Sequence, residues 1–424
     1  MPEHFAPVKT CDVLVVGGGP AGIAAACTAA DSGAAVILVD DNASAGGQIW
    51  RSRRKHPQKG PAGYWLAKFA ASAVSALFGH RIAAVPQPGL LLVEGPEGAI
   101  FIRCRRLILA TGARELFLPF PGWTLPNVVG AGAIQALAKS GLDVRGRRIV
   151  LAGSGPLLAA VAAHLKHAGA EIPFIAEQAS AARLRAFVFR LLAHPGKLRQ
   201  AFTLWRRIHP SRITPGSWPV RVQKSEAGLN VVIRSGGGEI ELTADYLACG
   251  FGLIPNSELA ILTGCAVDAN GCVQVNHENA ASVDWVYATG ELTGIGGVEK
   301  SLVEGQIAGL AATNRPVAPA LLRQRAAAGK FAAAMAETFA IRPEVCHLAD
   351  PQTVICRCED VRLALLSGRS DARELKLQTR CGMGPCQGRI CGPILQSMGM
   401  AGQMSVRPPI QPCRMETLAA RPME

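Results

Sequence analysis

No run of about eighteen uncharged apolar residues occurs anywhere in the 424-residue chain, so the sequence predicts no membrane-spanning helix. The opening MPEHFAPVKT lacks the apolar core of a secretory signal, and strand-like sequence follows it directly. The expected location is the cytoplasm, with peripheral contact at the inner face of the cell membrane as the variant reading. Charged residues are only 18% against 49% hydrophobic, which suits a globular protein and argues against disorder. Short-period repeats and low-complexity tracts are missing, and so is any C-x-x-C, which speaks against disulfide-reductase chemistry. No carboxylate pair, triad or base–nucleophile arrangement accompanies the motifs below, so no catalytic acid or base is expected in this chain. Acidic residues are absent between Arg183 and Arg212, where Arg183, Arg185, Arg190, Lys197, Arg199, Arg206, Arg207 and Arg212 supply much of the +13 net charge. A membrane or nucleic-acid surface is one reading of that stretch. Apolar residues alternate with the charges at helical spacing, so a solvated, partly subunit-facing helical face is the reading adopted. Without any DNA- or RNA-binding motif, nucleic acid is not an expected partner.

What is present begins with a strand, a tight turn and a helix. Cys11 to Val16 is a short β-branched run, GGGPAG turns the chain, Ile23 to Ala30 is alanine-rich, and Val36 to Val39 is strand-like again. Gly17, Gly19 and Gly22 give the G-x-G-x-x-G spacing, in which backbone can approach a pyrophosphate at a helix N-terminus. Asp40, 18 residues after Gly22, ends the next strand and can accept hydrogen bonds from a ribose. Three further features select FAD over NAD at this first site. They are GGQ with Gly47 and Gln48, LILATGA with Thr111 and Gly112, and YATGE with Gly290 and Glu291.

A second such unit starts about 135 residues later as IVLAGSGPLL. It keeps Gly153 and Gly155, and Glu177 at the following strand end could hold a ribose, but Leu158 stands at the third glycine position. A second nucleotide there, NAD or an adenine nucleotide, is left open, with an empty or differently used fold preferred. The expected fold is α/β, a doubly wound two-dinucleotide-binding-domain flavoprotein of glutathione-reductase type with a small helical iron–sulfur domain at the C-terminus. Expected boundaries are 1–125 and 250–315 for the FAD domain, 126–249 for the NAD(P)-like domain, 316–345 for a linker helix and 346–424 for the cysteine-rich domain.

Thirteen cysteines in a reducing compartment do not suggest a disulfide framework. Five of them, Cys356, Cys358, Cys381, Cys386 and Cys391, are clustered, and a cluster asks for a metal. Cys356-x-Cys358 and Cys381-x4-Cys386 can offer four thiolates from two short loops to an iron–sulfur cluster. Zinc is the competing metal, although the one-residue gap in the first pair is unusual for it. Arg357, Arg380 and Arg389 are placed to offset cluster charge, and Gly382, Gly384 and Gly388 free backbone N–H groups for sulfur. Cys391 is expected to pack beneath the loop.

RCGMGPCQGRICG (Arg380 to Gly392), LPFPGWTLPNVVGAGAIQ (Leu118 to Gln135) and LAGSGPLL (Leu151 to Leu158) carry a family likeness. The chain resembles the flavin-containing α subunit of bacterial dye-linked amino- and imino-acid dehydrogenases. That group includes opine (octopine and nopaline) oxidase, hydrogen cyanide synthase and D-hydroxyproline dehydrogenase. The resemblance implies a C-terminal module similar to bacterioferritin-associated ferredoxin, holding a [2Fe–2S] cluster on Cys356, Cys358, Cys381 and Cys386. It implies FAD at the first site, and a FAD-containing β subunit that oxidises the C–N bond of an amino or imino acid. It further implies a small ferredoxin-like subunit alongside and delivery of electrons to the respiratory chain. Two departures stand out: the cysteine pairs are closer together than the family shows, around Ser367 to Arg373, and the stretch between Gln48 and Leu107 is shorter. Glu291 replaces the Asp that ends the late strand in this superfamily. Two alternatives stay open, a stand-alone NAD(P)H-dependent FAD reductase and a non-catalytic iron–sulfur scaffold.

Overall fold

A computed structural model describes residues 4–50, 60–192, 195–209, 211, 213–368, 371–402 and 404–423, so Arg212 lies outside the described residues. The chain divides into two compact units, one of Met1–Arg114, Ile254–Ala333 and Ser405–Glu424, the other of Glu115–Leu253 and Ala334–Met404.

The first unit is built on a seven-stranded sheet. Val8–Val16 lies between Val36–Asp40 and Gly98–Leu109, parallel to both, and Val286–Ala288 runs parallel to the far side of Gly98–Leu109. The run VILVD is buried along its whole length, as a central parallel strand covered on both faces must be. Leu90–Gly95 and Arg81–Gln87 extend the sheet antiparallel. Proline at the first turn starts the helix Pro20–Asp31, whose alanine-rich sequence leaves little bulk where it packs against the helix Gly297–Ala312. Because strand, turn and helix follow in immediate succession, the turn Gly17–Gly19 stands at the C-terminal end of the sheet, where open α/β folds bind ligands.

The second unit repeats the plan with a five-stranded parallel sheet ordered Ile213–Pro215, Ile175–Glu177, Ile149–Gly153, Tyr246–Gly250, Val128–Gly130. A three-stranded antiparallel sheet, Trp218–Ser225, Gly228–Ser235 and Gly238–Ala244, joins it. The cysteine-rich segment does not stand as a separate body. Cys356, Cys381, Cys391, Ile394 and Leu395 share one apolar core with Trp123, Phe120, Val150, Ala152 and Val231. The tail after Gln403 includes the helix Met415–Ala419 and the strand Ala420–Pro422, which pairs with His4–Ala6 in the first unit. The buried Glu94 fastens it, accepting from the Arg414 backbone at 2.7 Å and from Thr417 Oγ1 at 3.1 Å. No helix among the described residues is long and apolar enough to cross a membrane.

Candidate cofactor sites

The first glycine turn is shaped by its neighbours at two positions and left open at a third. A β-carbon on Gly17 would lie 2.2 Å from the Ala110 carbonyl oxygen, and one on Gly22 only 1.8 Å from the Gly17 carbonyl oxygen. Both must be glycine for strand, turn and helix to meet. Gly19 has an ordinary backbone (φ −78°) and nothing within 4 Å of where a side chain would begin. Neither packing nor conformation requires glycine there, and the backbone at the helix N-terminus is left bare. The buried Asp40 carboxylate accepts from the Gly18 N–H and, at 2.7 and 2.6 Å, from the Asn42 backbone and side-chain amides. Oδ1 already accepts both Asn42 donors, and Oδ2, with one donor, retains acceptor capacity for a ribose hydroxyl. The GGQ segment closes over the turn: Gly46 N–H donates to the Gly18 carbonyl at 2.8 Å, while Gly47 packs on Gly19 and Gln48 is exposed.

Elsewhere in the same unit stand Thr111, Gly112, Gly290 and Glu291. Asn256, which no sequence pattern marked, holds the first two, its backbone donating to the Gly112 carbonyl at 2.9 Å and its side chain to the Thr111 carbonyl at 2.9 Å. Glu291 Oε1 accepts from the Gly297 N–H at 2.8 Å, whereas its buried Oε2 has no partner, and neither does the buried Thr289 hydroxyl. Burial raises the Glu291 carboxyl above its ordinary value, against the pull of the Gly297 hydrogen bond. A buried acceptor without a donor costs free energy, and a ligand hydroxyl would satisfy it. Behind this turn lies a buried ion network that sequence patterns also left unmarked. Glu304 Oε2 accepts from Gly290 N–H (3.0 Å), Thr293 Oγ1 (2.6 Å) and Lys300 Nζ (2.9 Å), and Arg325 reaches Oε1 at 3.3 Å. Its only trace in the sequence is Lys300 and Glu304 one helical turn apart in a largely apolar helix.

The second turn has the same outline but a different content. Gly153 is pressed against the Gly250 carbonyl, and Glu177 accepts from the Gly155 N–H at 2.7 Å, the Ala179 N–H at 2.8 Å and Ser154 Oγ at 3.1 Å. The Phe339 carbonyl accepts from Ser154 Oγ at 3.2 Å, and Gln178 Nε2 donates to the Ala340 carbonyl at 3.2 Å. The Phe339 ring meets Phe187 edge-on and comes within 3.8 Å of a β-carbon position on Gly155. The Phe339–Ala340 segment therefore lies against this turn. Leu158 itself is buried among Ala131, Ile134 and Val161.

At the cysteine cluster the thiol sulfurs of Cys356, Cys381 and Cys391 all lie within 4.8 Å of one another, each nearly inaccessible. Cys391 thus stands among the candidate ligands rather than merely packing beneath the loop. Hydrogen bonds from Cys381 and Cys391, joined by the Gly382 and Glu359 backbone, hold Cys356 down to about 2. Cys381 is correspondingly pushed up to about 12 by its bond to Cys356, and Cys391 is raised by the same partner. Cys358, exposed, sits beside the half-buried Cys386: the Cys386 backbone lowers it, while burial and the Cys386 side chain raise it to a net upward shift. Three of the five thiols therefore form one mutual group, while Cys358 and Cys386 make a neighbouring pair outside it. Arg357 stacks over the Trp123 ring, 5.4 Å from its centroid, and Arg380 pairs with Glu359 at 2.6 Å, so neither of these two cations is left wholly to the sulfurs. The Trp123 indole donates to the Val354 carbonyl at 2.7 Å, which ties the LPFPGWT segment to the strand carrying Cys356.

Residues 11–309 match the family described as pyridine nucleotide-disulphide oxidoreductase. An opine oxidase subunit of Rhizobium meliloti (strain 1021) is 33% identical, over 96% of this chain and 98% of its own. Hydrogen cyanide synthase subunit HcnB of Pseudomonas aeruginosa is 30% identical, over 89% of this chain and 90% of its own. Among solved structures, L-proline dehydrogenase from P. horikoshii superposes with a TM-score of 0.67 at 19% identity, covering 98% of this chain and 81% of that one. Thioredoxin reductase from T. acidophilum gives 0.55 at 18% identity, over 72% and 98%. These two likenesses concern the fold. The chain belongs to the pyridine nucleotide-disulphide oxidoreductase family, an oxidoreductase of flavoprotein fold grouped with subunits of opine oxidase and hydrogen cyanide synthase.

Proposed function

We propose that this chain is the electron-relaying subunit of a multi-subunit dye-linked dehydrogenase acting on the C–N bond of an amino or imino acid, of opine, D-hydroxyproline or glycine type. FAD and an iron–sulfur cluster are its carriers, and a FAD-containing β subunit performs the substrate oxidation. A small ferredoxin-like subunit completes the assembly, which works on the cytoplasmic side and delivers electrons to the respiratory chain. The observation that carries the reading is the contrast between the two turns. The first is bare and open at Gly19; the second is filled by the Phe339–Ala340 backbone. A chain that took hydride from a nicotinamide would need the second turn clear. The relatives' names, which are those of oxidase and synthase subunits, support a heteromeric assembly.

In this reading Gly17, Gly19 and Gly22 bare the backbone for the pyrophosphate, and Asp40 takes the ribose. Thr111, Gly112, Gly290 and the unpartnered Glu291 oxygen line the flavin end, with Gly47 and Gln48 covering the turn. FAD, when bound, supplies a carrier that accepts a hydride or two single electrons. The thiol cluster supplies soft anionic sulfur for iron, which exchanges one electron at a time. Cys356, Cys358, Cys381 and Cys386 remain the proposed ligands, and Cys391 joins the candidates through its contact with Cys356 and Cys381. No general acid or base is assigned to this chain. An absorbance spectrum of the purified chain tests the proposal: flavin bands with a cluster shoulder at longer wavelength are expected. A colourless protein would favour the scaffold alternative, and zinc in place of iron by elemental analysis would remove the cluster from the relay.

A further inference from the structure

The acid-free stretch forms two helices of the second unit, Ala181–Leu191 and Pro195–Ile208. Each turns one apolar stripe inward: Phe187 and Leu191 on the first and Ile208 on the second are buried, with Leu204 half-buried beside Ile208. What faces outward is not the polar surface of a solvated helix. Phe189 is 73% exposed, Leu192 61%, and Phe202 and Trp205 57% each. Phe202 and Trp205, three residues apart and so on one side of their helix, stack with ring centroids 5.9 Å apart. Arg199 and Arg206 flank that aromatic pair along the same outward half, and Arg185 and Arg207 are exposed as well.

The charge on this face has one sign. Arg190 is paired with Glu337, an acidic group brought to it from outside the stretch, and Arg183 donates to the Ala340 carbonyl. The exposed Arg185, Arg199, Arg206 and Arg207 have no acidic residue in their own two helices to answer them. A helix with aromatic and aliphatic side chains on one flank, cations on the other and low overall hydrophobicity is the kind that lies in a bilayer interface, apolar flank in the acyl boundary and cations among the headgroups. Tryptophan and arginine are both suited to that depth. A protein partner could bury the aromatics too, but the excess of unanswered cations selects an anionic surface.

We propose that helices Ala181–Leu191 and Pro195–Ile208 dock this subunit onto a bilayer surface rich in anionic headgroups, with Phe189, Leu192, Phe202 and Trp205 entering the interface. The inference stands on this face alone and is independent of the cofactor reading. It is an alternative to the solvated, partly subunit-facing reading of the same stretch.

The test is flotation of the full chain with vesicles, either pure phosphatidylcholine or with three parts in ten phosphatidylglycerol, at low and high salt. The chain should float with the anionic vesicles at low salt, stay behind with the neutral ones, and be released by salt. The triple variant R199Q/R206Q/R207Q should weaken partitioning on the order of 100-fold, since each basic residue near such a surface contributes roughly fivefold. Quenching of wild-type tryptophan emission by brominated phosphatidylglycerol should largely vanish in W205F. These positions are exposed, so an unchanged thermal melting curve checks that each variant is folded. Failure of the wild-type chain to float with anionic vesicles at low salt would overturn the proposal. So would a triple variant that binds like wild type. A third contrary outcome is F202S/W205S floating unchanged while losing a size-exclusion complex with a protein partner.

Discussion

Glu291 offers one carboxylate oxygen to the Gly297 backbone and holds the other buried with no donor. Burial raises its carboxyl, so the folded, cofactor-free protein holds this proton to higher pH than an unfolded chain would. Its contribution to stability is therefore complete below the ordinary carboxylate value and lost as pH rises through the raised one. At neutral pH, Glu291→Gln should raise the melting temperature of the cofactor-free protein and give no gain in acid. A FAD hydroxyl donating to Oε2 favours the ionised carboxylate. Flavin affinity, followed by fluorescence quenching, should thus fall as pH drops through the raised value in the wild type and stay flat in the Gln variant. A flat wild-type profile would remove Glu291 from the flavin site. Glu304 has the structural counterpart of this role. Glu304→Ala would strand the buried Lys300 and should cost about 3–5 kcal/mol in urea unfolding. The sequence announced Glu291 by its place in YATGE. It did not announce Glu304 or Asn256, because an acid one turn from a lysine in a helix and a lone amide after a strand are common patterns until the fold buries them and supplies their partners.

At the scale of elements, the two glycine turns share a sequence shape and differ in what lies over them. Gly22→Ala should unfold or severely destabilise the first unit, because its β-carbon would fall on the Gly17 carbonyl. Gly19→Ala should change stability by no more than about 0.5 kcal/mol, since its backbone is ordinary and its surroundings open. The same change should lower FAD affinity at least tenfold, measured by titration of the cofactor-free chain. Equal losses at both positions would mean that the turn is only structural. In the cysteine element, Cys391→Ser should diminish the cluster absorbance as strongly as Cys356→Ser, whereas a cysteine that merely packs would leave it intact. Spacing pointed to the right element here but not to all its sulfurs: Cys386 and Cys391 repeat the gap between Cys381 and Cys386, and only the folded loop brings Cys391 beside Cys356.

Across the whole molecule, the legible features were the periodic ones. Two β-branched runs ending in glycine turns foretold two sheets with parallel central strands, since that pattern has few other solutions. Two long-range facts were hidden. The cysteine-rich segment joins the core around Trp123 instead of standing apart, and the chain's own residues 339–340 lie on the second turn. Both depend on contacts between segments far apart in sequence, 231 residues for Trp123 to Val354 and 185 for Ser154 to Phe339, and no local spacing encodes them. In the proposed reading that second contact favours a relay fed by a partner over a reductase fed by nicotinamide. Anaerobic addition of NADH to the isolated, FAD-loaded chain, followed at the flavin's visible band, tests this most directly. The band is predicted to persist; rapid bleaching at micromolar NADH would contradict the relay.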